Sequence, residues 1–150
     1  MPKWEKFKAL SRWELGLLGK ALFLLPATAL ALRLMGFKVV RSAMKCGLPP
    51  AGLSTEAESL ERARKIAKIV QAAAARIPWG ATCLPRSIVL WRLLRHHGVE
   101  CDLRLGARHE NGNLEAHAWV EVDGVVLNDT ADVGERFGLL EPKAHREGNS

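Results

Sequence analysis

The hydrophobic period of this chain changes once, at Gly98, and that change limits what it can fold into. Upstream, apolar residues recur three and four apart, as on one face of a helix; downstream they alternate, as on a strand. Helices that precede strands, rather than interleave with them, make an α+β protein whose sheet is built from antiparallel hairpins. At 150 residues, 48% of them hydrophobic and 25% charged, the chain is about one domain long and can bury a core without disulfides or a structural metal.

Ser11 and Glu14 form an S-x-x-E capping box, with Leu10 and Leu15 at the positions of a hydrophobic staple. The helix that starts there is expected to reach about Leu25. Pro26 then kinks it or opens a second segment through Leu34, and Gly36 breaks the pattern. Thr55 and Glu58 repeat the box before a stripe of Leu60, Ala63, Ala67, Val70 and Ala74. Ile77-Pro78-Trp79-Gly80 ends that helix, Thr82 is placed to cap the next, and Pro85 fits only in its first turn. Leu84, Ile88, Trp91 and Leu94 carry the period to His96-His97, and Gly98 is the stop. Cys83 therefore opens a helix.

Charge divides the chain unevenly. Residues 1–50 set nine Lys and Arg against two Glu, whereas residues 51–150 hold thirteen against fourteen acidic residues, so the net +6 belongs to the N-terminal third. The Pro- and Gly-rich stretch Cys46 to Leu53 falls where that asymmetry ends. The expected organisation is a basic, Leu-rich helical N-terminal subdomain over residues 1–50, a compact core over 51–142 and a disordered tail over 143–150. The basic third suits an acidic peptide, another protein or an anionic membrane surface. No nucleic-acid reader motif is present, and nucleic acid is not an expected partner. Between Leu15 and Leu34 the longest uncharged run, Ala21 to Leu32, falls short of the ~20 residues of a span, which favours a buried or interfacial helix. Three cysteines at irregular spacing, Cys46, Cys83 and Cys101, fit neither a disulfide framework nor a zinc site and point to a reducing, cytoplasmic compartment.

A thiol attacks as the thiolate, which the positive end of a helix dipole and a nearby imidazolium both favour. Cys83 has the helix start by position, and first-turn N–H groups there can stabilise an oxyanion. Cys46 lies in a linker and Cys101 in a strand, so both read as small packing residues. His96 and His97 lie at the far end of the cysteine's own helix, roughly 20 Å away, and read as charge partners of its dipole. His109 borders the polar turn Glu110-Asn-Gly-Asn113, whereas His117 lies mid-strand and is the candidate base. Its orienting carboxylate depends on the hairpin at Asp123-Gly124. A two-residue loop there pairs His117 with Thr130 and leaves Asp129 on the opposite face. A type I turn with Gly124 as a G1 bulge sets Asp129 across from His117, and Trp119 across from Leu127. The sequence permits both; the bulged turn is the expectation, because that register completes a triad of Cys83, His117 and Asp129.

Gly80-Ala-Thr-Cys83-Leu84, His117-Ala-Trp-Val-Glu-Val-Asp-Gly124 and Val126-Leu-Asn-Asp129 resemble, in order and spacing, the Cys, His and Asp boxes of the transglutaminase-like superfamily. With Pro78-Trp79 before the cysteine and Leu84-Pro85-Arg86-Ser87 after it, the region of about residues 76–130 is similar to the leader peptidases of bacterial lasso-peptide biosynthesis, the microcin-processing B proteins. The resemblance implies a papain-like core with the catalytic Cys at a helix N-terminus packed on an antiparallel sheet. It implies a cysteine endopeptidase that cuts a ribosomally made precursor peptide between leader and core, without cofactor or metal, ahead of an ATP-dependent lasso cyclase. A separate leader-recognition protein is implied as a partner, since residues 1–50 are too apolar to serve as one. The competing readings are acyl transfer from glutamine to an amine and a non-catalytic scaffold that docks a membrane or the other maturation proteins.

Overall fold

The computed structural model describes residues 10–45, 55–78 and 82–139. Three helical elements come first: α1 (Arg12–Lys45), interrupted at Gly36, α2 (Glu56–Ala74) and α3 (Cys83–His96). Strands β1 (Asp102–Glu110), β2 (Asn113–Val122) and β3 (Val125–Val126) come next, then a short helix α4 (Val133–Arg136) and a last strand β4 (Gly138–Leu139). The strands make one antiparallel sheet in the order β3-β2-β1-β4, so the architecture is α+β.

Both capping boxes form. Ser11 N–H donates to Glu14 Oε2 at 2.7 Å while Glu14 N–H donates to Ser11 Oγ at 3.2 Å, and Thr55 and Glu58 exchange the same pair at 3.4 Å each. Pro26 does not end α1: it removes one backbone donor, but Leu17, Leu18, Ala21 and Leu25 anchor this helix in the core on the turns before it. Gly36 does break the helix, at φ 77° and ψ 168°, a conformation reserved for glycine. The expected boundary near residue 50 and the tail over 143–150 lie outside the described residues. The α1 side chains share their core with Ile66 and Val70 of α2, Leu90 and Leu94 of α3 and Val120 and Val122 of β2. By length and composition alone, Arg12–Gly36 could also cross a membrane; 17% of its apolar window is buried, and Phe23, Leu30, Leu34 and Met35 stay exposed.

β1 and β2 pair about the two-residue turn Asn111-Gly112, whose residues both have positive φ. Side chains alternate along β2, giving it two working faces. Val120 and Val122 meet the helices, whereas Trp119 packs with Val133 and Phe137, which cover the other side.

The next turn corrects the bulged expectation. Glu121 pairs with Val126 and Val122 with Val125, and Asp123 and Gly124 have φ of 49° and 81°. That is a two-residue loop with both central residues left-handed, so there is no G1 bulge. Nor does Trp119 face Leu127, whose N–H donates to Val120 O instead.

Candidate active site

β3 lasts two residues, so at Ala118 the outer side of β2 has no strand neighbour among the described residues. Side chains take over there. Asn128 Oδ1 accepts from Val120 N–H at 2.8 Å, Asn128 Nδ2 donates to Ser87 Oγ at 2.9 Å, and Ser87 Oγ–H donates to Ala118 O at 2.9 Å. Each member of this relay neighbours a candidate residue. Asn128 precedes Asp129, Ala118 follows His117, and Ser87 is one helical turn from Cys83, about 6 Å along the axis. Because Ser87 is fully buried, stranding its hydroxyl would cost about 1–3 kcal/mol. The relay therefore fastens α3, one turn in from Cys83, to the open edge of β2.

Bending away after Leu127 frees Asp129 from the strand alternation that would place it on the far face. It turns to His117, whose Nε2 pairs with Asp129 Oδ2. Oδ1 accepts from Thr130 N–H and from Arg136 Nη2, each at 2.7 Å. Burial alone would raise the Asp129 carboxyl, but the His117 hydrogen bond, the Thr130 N–H and the Arg136 charge outweigh it and hold the group below its ordinary value. With Nε2 engaged, Nδ1 is the ring nitrogen left for a second partner.

The faces of the imidazole are fixed as well. Phe137 stacks on it at 4.8 Å between centroids and Trp119 lies at 6.2 Å, both 27° from parallel. Gly106, opposite His117 on β1, makes this packing possible: a Cβ there would lie 2.8 Å from Phe137 Cβ and 3.0 Å from the Trp119 ring. Trp119 is fully buried, and its indole N–H is taken by Glu121 Oε1 at 2.9 Å.

Cys83 is the first residue of α3 and is partly exposed; among the described residues it makes no hydrogen bond to His117. Thr82 occupies the N-cap, yet its hydroxyl makes no capping bond, contrary to expectation. One reason is that the third helical residue is Pro85, which has no N–H to offer. The N–H groups of Cys83 and Leu84 have no partner within the helix, a set of donors suited to a developing oxyanion. The structure thus joins His117 and Asp129 directly and links Cys83 to them through α3 and the Ser87 relay.

The remaining thiols and imidazoles separate from this group. Burial pushes the Cys101 thiol up to about 12, and its Sγ lies 3.7 Å from Trp91 O, so it is a packing residue; Cys46 lies outside the described residues. His97 packs edge-on to Trp13 at 5.5 Å. Burial, with His96, Lys20 and Arg62 nearby, holds it below its ordinary value, a direction that opposes the cationic form a dipole partner needs. His109 is exposed beside the turn. Among the described residues no group of three or more His, Cys, Asp or Glu is placed to hold a metal ion.

Three contributors lie outside the sequence-derived candidates. Ser87 has one signal, a hydroxyl four residues after Cys83 on an otherwise apolar stripe. Arg136 and Phe137 sit at the end of a four-residue helix, too short to have a period. No curated protein and no solved structure matches the chain. The family model described as the transglutaminase-like superfamily matches residues 24–141, from within α1 past β4 and across Cys83, His117 and Asp129, and the chain belongs to that superfamily.

Proposed function

We propose that the chain is a cysteine endopeptidase that removes the leader from a ribosomally synthesised lasso-peptide precursor, with Cys83 as nucleophile, His117 as base and then acid, and Asp129 as orienting carboxylate. The observation that carries the chemistry is the His117–Asp129 pair on the strand whose edge Ser87 ties to the Cys83 helix. The superfamily includes cysteine peptidases and acyltransferases. Support for a leader peptide as substrate comes from Pro78-Trp79 and Leu84-Pro85-Arg86-Ser87 around the cysteine.

Cys83 Sγ attacks the scissile carbonyl as its proton passes to His117 Nδ1, while Asp129 holds the ring and supports the imidazolium. The N–H groups of Cys83 and Leu84 receive the oxyanion. His117 gives the proton to the leaving amine, the C–N bond breaks, and a thioester remains on Cys83. Water deprotonated by His117 then hydrolyses the thioester and restores the thiol. The partners are the precursor peptide, a separate leader-recognition protein and an ATP-dependent cyclase. The exposed apolar residues of α1, with basic residues on the same helix, support docking to these proteins or to the inner face of the membrane, in the cytoplasm.

Incubating the full chain with precursor and leader-recognition protein, and weighing the products by mass spectrometry, tests this reading. Cys83→Ala should abolish cleavage with its circular dichroism unchanged, and Cys46→Ala and Cys101→Ala should stay active. Cleavage by Cys83→Ala overturns the peptidase, and an amine adduct in place of a hydrolysed leader replaces it with acyl transfer.

A further inference from the structure

Between α1 and the start of α3 lies an open cleft of about 530 Å³, inside the range of about 300–1,000 Å³ found for small-ligand sites. Ala29 and Leu30 of α1, Ile77 after α2, and Leu84 and Pro85 of α3 give it apolar walls. Leu84 and Pro85 directly follow Cys83, so the cleft opens at the helical turn that carries the thiol. Its one charged lining residue among those described is Arg33, which is exposed and makes no ion pair among the described residues. Ala29 and Arg33 are four apart on α1, so one helix face offers an apolar surface and then a cation.

Apolar surface left wet beside a nucleophile favours a ligand that covers it, and a guanidinium at its end selects a carboxylate. We infer that this cleft is the substrate-binding cleft, and that it takes a peptide segment in which an aliphatic side chain is followed by Asp or Glu. The aliphatic group lies against Ala29, Ile77 and Leu84, and the carboxylate pairs with Arg33. The inference rests on the peptidase reading for its substrate class, and binding is measured without turnover so that the two can fail separately.

The test is calorimetric titration of the full-length Cys83→Ala protein with three octapeptides of Gly-Ser background carrying central Leu-Leu-Asp, Ser-Ser-Asp or Leu-Leu-Lys. The Leu-Leu-Asp peptide should bind at least tenfold tighter than either other. Adding Ala29→Trp, which fills the cleft, should remove that binding without lowering the Tm. Adding Arg33→Glu, an exposed change that leaves the fold alone, should exchange the preference from Leu-Leu-Asp to Leu-Leu-Lys. Equal binding of the three peptides, binding of none, or a preference unmoved by Arg33→Glu overturns the cleft assignment and leaves the role of Cys83 untouched. Conversely, a Cys83→Ala protein that still cleaves the precursor, yet shows these preferences, removes the nucleophile and keeps the cleft.

Discussion

The two hairpins of the sheet share a turn type and diverge after it. Asn111-Gly112 and Asp123-Gly124 are both two-residue loops with positive φ at each position. Yet β1 and β2 pair without interruption from Asp102↔Glu121 to Glu110↔Asn113, whereas the β2–β3 ladder stops after Glu121↔Val126 and a last bond to Leu127. The residues beyond each turn make the difference. Asn128 offers Val120 N–H a side-chain acceptor in place of the next backbone carbonyl, and the chain is released to bend. The regular hairpin is scaffold; the interrupted one carries Asp129 to His117. Asp129 reaches the imidazole because the ladder ends, not because its register delivers it.

Turnover should respond most strongly. Asp129→Asn should lower kcat by about 10²–10⁴-fold with little loss of Tm, since the amide keeps a hydrogen bond but not the charge that supports an imidazolium. Unchanged turnover would reduce the site to a Cys–His dyad. Next come the side chains that replace the ladder: Ser87→Ala and Asn128→Ala should each cost about 1–3 kcal/mol in urea unfolding, by stranding buried polar partners. The double variant should cost less than their sum, because the three bonds form one relay. Full additivity would break the relay into unrelated contacts.

The glycines give the cleanest contrast between the hairpins. Gly112→Ala and Gly124→Ala, at φ of 79° and 81°, should each cost about 1 kcal/mol. Only Gly124→Ala should also lower kcat, since it leads into the segment that carries Asp129. The smallest effect is on acid stability. The Asp129 carboxyl is held below its ordinary value, so its ionised form stabilises the fold above the ordinary carboxylate range, and that stabilisation is lost as pH falls through the lowered value. Between about pH 6 and pH 3 the wild-type Tm should therefore drop further than that of Asp129→Asn.

Local features of this chain are legible in its sequence, and tertiary ones are not. Capping boxes at Ser11 and Thr55, the helix start at Cys83, the stop at Gly98 and both turn positions are local signals, and each has its counterpart in the structure. The pairing of Asp129 with His117 emerges from the sequence for a mistaken reason. Register counted from the turn runs through residues that no longer belong to a strand, because a strand's end depends on tertiary hydrogen bonds such as Asn128 to Ser87. The cover over the imidazole is silent in sequence too. Phe137 fits only because Gly106, thirty-one residues away, lacks a side chain.

Whether the His117–Asp129 pair serves Cys83 is read from the rate at which iodoacetamide alkylates each cysteine, resolved by mass spectrometry at about pH 6. Cys83 in the wild-type protein should react at least tenfold faster than Cys83 in His117→Ala, while buried Cys101 stays inert in both. Equal Cys83 rates in the two proteins would mean that the pair does not serve this thiol.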